Sequence, residues 1–387
     1  MSLNHLMGDR EGFSLVDLSQ ISLATAIETY EKGTKFTIEE VRHMVLATLK
    51  VNVAKFKKEG FTNIVICVDN AKFGYWRRQF ADYYKRNRAI SREKKKDDFD
   101  FEGYFNALNI IVDEFKENMP YHVIDVKHAE ADDCIGVLTP HLISLGYKVR
   151  IISSDGDFTQ LHTHEDIDQY SPIQKKFVKV KTSSPQEDCL TKILKGDKKD
   201  CVASTKVKGD FYLSDIIERT PMTSTEFITE MVGKTDDELK IAFADDIRNT
   251  LLKPKGGKKW IYDELATYLG DDKAEEMKSL EREEAIDVLH KLRIGNHLKV
   301  FYGMEKSKVD AVVEKHDVEK LIPIMVKARF KRFEENRVLI DFNYIRQDIK
   351  DGILETFTNS KPVPKGKMYS YFVKNQLVKL LPEISQF

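Results

Sequence analysis

Acidic residues stand at the ends of short apolar runs in this chain, and this pattern constrains its fold more than any other feature. The runs and their acids lie in SLVDLSQ, IVICVDN, HAEADDC, RIISSDGDFTQL and GDKKDC, and the acids are Asp17, Asp69, Glu130, Asp132, Asp133, Asp155, Asp157, Asp197 and Asp200. Three of the runs have the composition of buried strands, and parallel strands bring their carboxyl ends to one edge of a sheet. The sequence therefore predicts that distant acids meet in one negatively charged site.

Carboxylates gathered in this way require a cationic partner. Like charges held close together raise one another's pKa unless a positive charge joins them. Ligation by carboxylate oxygens alone suits a hard divalent cation such as Mg²⁺ or Mn²⁺ rather than zinc. We therefore expect a magnesium-dependent phosphoryl-transfer site.

The formal net charge of −1 conceals two strongly basic segments. Residues 72–96 contain ten Lys and Arg against two acids, and residues 175–208 contain ten Lys against four acids. Basic surfaces on either side of an acidic centre fit a polyanionic partner that is held next to metal ions.

Strands alternate with helices over about the first 165 residues, which predicts an α/β core with a mostly parallel, doubly wound sheet. The predicted strands are 13–18, 63–68, 121–124 and 148–153, and the predicted helices are 37–58, 104–115, 129–145 and 188–195. Residues 174–181 alternate like a hairpin. Beyond about residue 220 the chain is charged and helix-rich, with a surface helix predicted over 275–292.

The four cysteines show neither CxxC spacing nor a histidine at zinc-finger spacing, which favours free thiols in a reducing compartment. The N-terminus lacks the apolar stretch of a signal peptide, and no run approaches membrane-spanning length. We therefore expect a cytoplasmic protein with no membrane partner.

Seven segments together resemble the flap-endonuclease family of 5′ nucleases, most closely its ribonuclease H type from T-even bacteriophages. In chain order they are LVDLSQ, ICVDNAKFGYWRRQFADYYKRNR, EADDCIGVL, IISSDGDFTQLH, TKILKGDKKDCVAS, RVLIDFNYI and KMYSYFVKNQLVKL. The resemblance covers most of 13–218 and about 333–381. It implies a 5′ to 3′ nuclease of phage-type DNA replication, in the cytosol of the bacterial host, that removes RNA primers and 5′ DNA segments from duplexes, with flap or fork endonuclease activity.

The family uses two metal ions, Mg²⁺ with Mn²⁺ as a substitute, and the resemblance assigns the acids to them. The first ion would take Asp17, Asp69, Asp132 and Asp155, with Glu130 in its inner or outer shell. The second would take Asp157 and Asp200, in part through water, with Asp133 and Asp197 as outer-sphere supports. Acids at a helix start also favour the helix dipole, so one or two of Glu130, Asp132 and Asp133 have a purely structural alternative.

The resemblance also implies a helical arch at residues 77–103 through which a single-stranded 5′ end passes. In it Lys85 and Arg88 would neutralise charge on the reacting phosphate, and Tyr84 would stack on the terminal base. The predicted nucleic-acid contacts are Arg77, Arg78, Tyr83 and Arg86 in the arch, and Lys198 and Lys199 in the GDKKD turn. The alternative is a solvated loop whose base is packed by Tyr83 and Tyr84.

We expect four parts along the chain: a nuclease core at 1–184, a helix–turn–helix-type duplex-binding element at 185–224, a helical insertion at 225–323, and a C-terminal helical segment at 324–387 that completes the smaller domain. The expected partners of this monomer are DNA and RNA–DNA duplexes with 5′ ends, flaps or forks. The amphipathic C-terminus either closes the small domain or docks a single-stranded-DNA-binding protein or sliding clamp. Three alternatives stay open: a PIN-type endoribonuclease, a DNA-binding replication accessory whose nuclease has decayed, and a phosphatase with Asp155 as nucleophile.

Overall fold

The computed structural model describes residues 10–206, 223–253, 256–302, 304–315 and 318–387. It divides into two compact units, unit 1 (Met1–Cys189 and Ile340–Phe387) and unit 2 (Leu190–Leu339). None of the helices among the described residues is long and apolar enough to cross a membrane.

Unit 1 is built on one six-stranded sheet in the order β3-β2-β1-β4-β5-β6. The strands are β1 (Gly12–Asp17), β2 (Phe61–Cys67), β3 (His122–Ile124), β4 (Lys148–Ile152), β5 (Ile167–Ser171) and β6 (Lys176–Phe177). The first five pair in parallel, and β6 is antiparallel to β5. All six residues of β1 are buried, as expected of a strand covered on both faces. The predicted mostly parallel α/β core is confirmed.

Helices cover this sheet. In chain order they are α1 (Leu18–Thr29), α2 (Ile38–Lys57), α3 (Trp76–Phe80), α4 (Arg86–Lys94), α5 (Phe101–Asn118), α6 (Ala131–Ser144) and, at the boundary with unit 2, α7 (Pro185–Lys195). The sequence determines where α2 begins, because Thr37 and Glu40 form a capping box. Helices α2 and α5 pack on each other over a large apolar core, whereas α6 packs against β1, β2 and β4.

The described residues of unit 2 form helices and turns, with one isolated β-bridge between Asp197 and Val202. Its helices are α8 (Thr225–Met231), α9 (Asp236–Leu251), α10 (Lys258–Leu269), α11 (Asp271–Glu276), α12 (Arg282–Tyr302), α13 (Lys306–Lys315) and α14 (Val318–Ile340), which ends at the boundary. Among its described residues, α9, α12, α13 and α14 share one apolar cluster, and α10, α11 and α12 share another.

The segment predicted at 324–387 is divided between the units: residues up to Leu339 belong to unit 2, and those from Ile340 onward belong to unit 1. The helices after Ile340 are α15 (Gln347–Asn359) and α16 (Lys365–Lys374). Helix α16 buries Tyr371 and Phe372 in the core that α2 and α5 share, and the Tyr371 hydroxyl donates to Glu114 at 2.7 Å. Helix α15 packs on α6 and β3.

Two other local predictions were wrong. A hairpin was predicted within 174–181, but the structure pairs β6 with β5 instead. Strand β5 was not predicted because it contains polar residues, Asp168 and Gln169 among them. The helix predicted over 275–292 starts only at Arg282, because a 3₁₀ turn and an extended Leu280 interrupt the chain before it.

Candidate active site

Four carboxylates from four strand ends line one cavity in unit 1. Asp17 is the last residue of β1, Asp69 follows β2, Asp132 opens α6 after β3, and Asp155 follows β4. The cavity has a volume of about 570 Å³. It lies at the carboxyl ends of the strands, where β1 has β2 on one side and β4 on the other, and this is the switch point at which open parallel sheets bind ligands.

Hydrogen bonds from neighbouring loops orient three of these acids. Asp17 caps α1 by accepting from the amide of Gln20 at 3.1 Å, and it also accepts from the Ser153 hydroxyl at 3.0 Å. Asp69 accepts from the Ala131 amide at 2.9 Å. The Asp155 carboxylate accepts from the Asp157 amide at 3.1 Å. Asp17 and Asp155 are thus bonded to the helical turn that follows each of them, and Asp17 is also bonded to the loop after β4. Asp69 is bonded to the start of α6.

Burial and mutual repulsion perturb these acids. Burial, followed by the charge of Asp69, raises the pKa of Asp17 to about 7. Burial also raises the pKa of Asp132 well above its usual range, against the lowering effect of Lys85. Groups perturbed in this way mark functional sites more often than structural ones.

The donor set fits a hard divalent cation, since it offers carboxylate oxygens and an excess of negative charge. In the described part of the chain no three of these side chains already converge on one point at ligand distances. A hard divalent ion that keeps some of its waters does not need every acid as a direct ligand.

Lys85 and Arg88 line the same cavity as the acids. Lys85 is almost fully buried and pairs with Glu130, while its ammonium lies 3.8 Å from Asp132. Its backbone is left-handed, with φ of 55°, and its carbonyl accepts from Arg78 at 3.4 Å. A non-glycine residue rarely adopts this conformation, so the surrounding structure holds Lys85 in place at some energetic cost.

Arg77 forms the centre of a buried ion cluster beneath the cavity. Its guanidinium lies 2.9 Å from Glu130 and 2.7 Å from Asp133, and Asp133 also accepts from the indole N–H of Trp76 at 3.0 Å. Desolvation opposes these charges, yet Asp133 and Glu130 hold the Arg77 pKa above its usual value. Burial raises the pKa of Asp133, and Arg77 counteracts that rise.

Two of the predicted substrate contacts are buried in the structure. Arg77 is 2% exposed, and its guanidinium pairs with Glu130 and Asp133. Tyr84 is 3% exposed. A run of charged residues in the sequence does not show which of them are buried. Arg77 is buried because it pairs with buried carboxylates.

The other predicted residues lie as follows. Arg78 and Arg86 are exposed and Tyr83 is half-buried, all beside α3 and α4. Asp157 follows Asp155 in a 3₁₀ turn, Gly156–Leu161. Four further predicted residues, Asp197, Lys198, Lys199 and Asp200, belong to a turn of unit 2 in which the Asp197 carboxylate accepts from the Lys199 amide at 2.7 Å. Much of the predicted duplex-binding element, residues 207–222, lies outside the described residues.

Sequence reasoning did not assign several residues that line the cavity, among them Gln20, Lys72, Tyr75 and Arg92. Lys72 and Arg92 belong to the basic segment 72–96, so the charge pattern of the sequence could have indicated them. No feature of the sequence pointed to Gln20 or Tyr75.

Comparison with known protein families matches most of the chain. Residues 24–190 match the 5′-3′ exonuclease N-terminal resolvase-like domain. Residues 183–253 and 296–387 match the C-terminal region of T4 RNase H. The internal segment between these matches, 254–295, is shorter than the insertion expected at 225–323.

Individual proteins match as well. The chain is 38% identical over 379 residues to ribonuclease H of Enterobacteria phage T4, covering 98% of this chain and 96% of that protein. A bacteriophage T5 protein co-crystallised with metal ions is 14% identical, with a TM-score of 0.43 over 82% of this chain and 99% of that one. The T5 flap endonuclease in a pseudo-enzyme–product complex with DNA and metal ions is 14% identical, with a TM-score of 0.42 over 83% and 100%.

Proposed function

This chain belongs to the 5′-3′ exonuclease family that includes phage T4 ribonuclease H, and we propose that it hydrolyses nucleic-acid phosphodiesters from 5′ ends with two Mg²⁺ ions as cofactors. It is a 5′ nuclease, a hydrolase. Its substrates are RNA primers on DNA, 5′ DNA segments of duplexes, and 5′ flaps or forks. The ribonuclease H activity is supported by the name of the T4 relative.

One observation carries this proposal: Asp17, Asp69, Asp132 and Asp155 line a single cavity together with Lys85 and Arg88. Carboxylates in excess bind divalent cations, and the basic side chains accept a phosphate. When bound, Mg²⁺ neutralises the phosphate and makes a water acidic enough to attack at neutral pH. Mn²⁺ has the same ligand preference and would substitute.

The protein's own residues position the substrate. Lys85 is fixed by Glu130 and by its strained backbone, so its ammonium is already in place where negative charge develops on the reacting phosphate. Arg88 and Arg92 add positive charge to the lining of the cavity. Arg78, Arg86, Lys198 and Lys199 are proposed to hold backbone phosphates, which gives binding without sequence preference.

The roles of the other acids follow from their surroundings. Glu130 and Asp133 are buried against Arg77 and support the site from below, as outer-sphere groups. Asp157 is proposed for the second ion, in part through water, whereas the roles of Asp200 and Asp197, which belong to unit 2, rest on the family resemblance alone. A single-stranded-DNA-binding protein or clamp as protein partner remains a proposal from the family.

The test is hydrolysis of two 5′-labelled substrates, an RNA–DNA duplex and a 5′-flap DNA duplex, by the wild type and by Asp132→Asn. We expect the wild type to release short 5′ products only with Mg²⁺ or Mn²⁺. Asp132→Asn should lose hydrolysis, by about a hundredfold or more, while DNA binding is kept. Asp113→Asn, at an exposed acid on α5, is the matched control and should hydrolyse like the wild type.

Full hydrolysis by Asp132→Asn would refute the metal assignment. Cleavage of single-stranded RNA in place of both duplexes would point to the endoribonuclease alternative instead.

A further inference from the structure

An exposed aromatic ring stands beside the candidate active site, and hydrolysis alone does not explain it. Phe73 ends the 3₁₀ turn Ala71–Phe73, which follows Asp69. Its neighbours Lys72 and Tyr75 line the catalytic cavity, so the ring lies near the mouth. Half of its surface, 50%, is exposed to solvent.

Two lysines from two different loops lie against this ring. The ammonium of Lys127, in the loop after β3, is 4.7 Å from the ring centre, and that of Lys72 is 5.7 Å from it. Neither lysine pairs with a carboxylate among the residues that the structure describes. Their charges therefore stay available to phosphates, while their stems frame the aromatic face.

The backbone holds the ring in a fixed position. Gly74, with φ of 74°, closes the turn, and its carbonyl lies 2.8 Å from Nδ1 of His128. The amides of Asn70 and Trp76 donate to the carbonyls of Ala129 and His128, each at 3.0 Å. Bonds on both sides of the turn tie it to the loop that carries Lys127, so the ring and both lysines form one preorganised unit.

Single exposed apolar side chains are common on protein surfaces and need no function. Tyr369 on α16 is such a case: it is 56% exposed, and no Lys or Arg of the described residues lies over its ring. Phe73 differs because two lysines flank it and because its neighbours belong to the catalytic cavity.

We propose that Phe73 is a stacking platform for a nucleobase of the substrate next to the scissile phosphate, with Lys72 and Lys127 binding the phosphates on either side of that base. Every base has a π-face, so stacking of this kind holds a strand without reading its sequence. The inference rests on the proposed nuclease function, since it assigns Phe73 a positioning role beside that site.

The experiment measures binding of a 5′-flap DNA in EDTA, where metal-dependent hydrolysis does not occur. Loss of one stacked base weakens binding roughly 5- to 150-fold, and we expect Phe73→Ala to fall in this range. Phe73→Trp should bind within about twofold of the wild type, because stacking is kept. Phe73→Leu keeps an apolar side chain without an aromatic face, and it should bind as weakly as Phe73→Ala.

A cycle with modified DNA identifies the base. An abasic site is moved along the flap strand one position at a time, and each DNA is tested with the wild type and with Phe73→Ala. At the stacked position the two losses should not add, because both remove the same contact. Lys127→Ala should reduce the slope of log affinity against log salt by about one.

Three results would overturn the platform: wild-type affinity in Phe73→Ala, equal affinity in Phe73→Leu and wild type, or additive losses at every abasic position. Tyr369→Ala is the matched control, and a loss equal to that of Phe73→Ala would also overturn it. Binding is measured apart from catalysis, so a wild type that binds but never hydrolyses DNA would refute the proposed function and leave the platform standing.

Discussion

Replacing Asp17 with asparagine should stabilise the metal-free protein at neutral pH while abolishing hydrolysis. Burial and the neighbouring acids raise the pKa of Asp17 from 3.8 to about 7. In the unfolded chain the Asp17 carboxyl keeps its ordinary pKa of 3.8. Between pH 3.8 and about pH 7 the folded state therefore binds more protons than the unfolded state. Stability therefore falls as the pH rises from about 4 to about 7, and the full penalty applies above that.

The size of the effect follows from the shift. About three pKa units at about 1.4 kcal/mol each give a penalty of about 4 kcal/mol at pH 8. The substituted amide cannot ionise, and its oxygen can still cap α1 as the Asp17 carboxylate does through the Gln20 amide. Loss of one of the two accepted hydrogen bonds costs about 1 kcal/mol, which leaves a net gain of about 3 kcal/mol.

The assay is urea unfolding of wild type and Asp17→Asn in EDTA at pH 4 and pH 8. The variant should be more stable by about 3 kcal/mol at pH 8 and show no advantage at pH 4, where the wild-type carboxyl is protonated. Saturating Mg²⁺ at pH 8 should stabilise the wild type, by about 2.7 kcal/mol at a hundred times the dissociation constant, and the variant much less.

The exposed residue Asp97 supplies the control, and Asp97→Asn should change neither stability nor its pH dependence by more than about 0.5 kcal/mol. A variant at Asp17 that is no more stable than the wild type at pH 8, or equally stabilised at pH 4, would refute the reasoning.

Two further predictions concern structure. Arg77→Met should lower the free energy of unfolding by about 3–5 kcal/mol, because it leaves Glu130 and Asp133 buried without their shared cation. Arg86→Met, at an exposed arginine, is the control. A loss below about 1 kcal/mol for Arg77→Met in urea unfolding would contradict the cluster. Gly196→Ala should lower the melting temperature more than Gly146→Ala does. Both glycines have positive φ, but only at Gly196 would a Cβ meet backbone, 2.4 Å from the Val202 carbonyl oxygen. Equal melting temperatures for the two variants would contradict this.

Much of the site could be read from local pattern. An acid that ends an apolar run lies at a strand end, and parallel strands must bring their carboxyl ends to one edge. Asp17, Asp69 and Asp155 met for this reason, and Asp132 joined them because its helix is the next element after β3. The capping box of Thr37 and Glu40 likewise set the start of α2 without help from the rest of the fold.

Pairing between distant elements could not be read in this way. Whether a basic residue faces solvent depends on which carboxylates the fold places beside it, and Arg77 turned inward because Glu130 and Asp133 would otherwise be buried uncompensated. Helix α16 packs in unit 1 because its apolar residues Tyr371 and Phe372 contact the core that α2 and α5 share.

The sequence by itself determined the strand ends, the helix starts and therefore the carboxylate edge of the sheet, since these depend on neighbours a few residues apart. Tertiary structure alone decided which acids line the cavity and which lie beneath it, and it placed Phe73 between lysines of two separate loops. The physical reason is that burial and charge pairing depend on distances between elements, and no local pattern of residues encodes those distances.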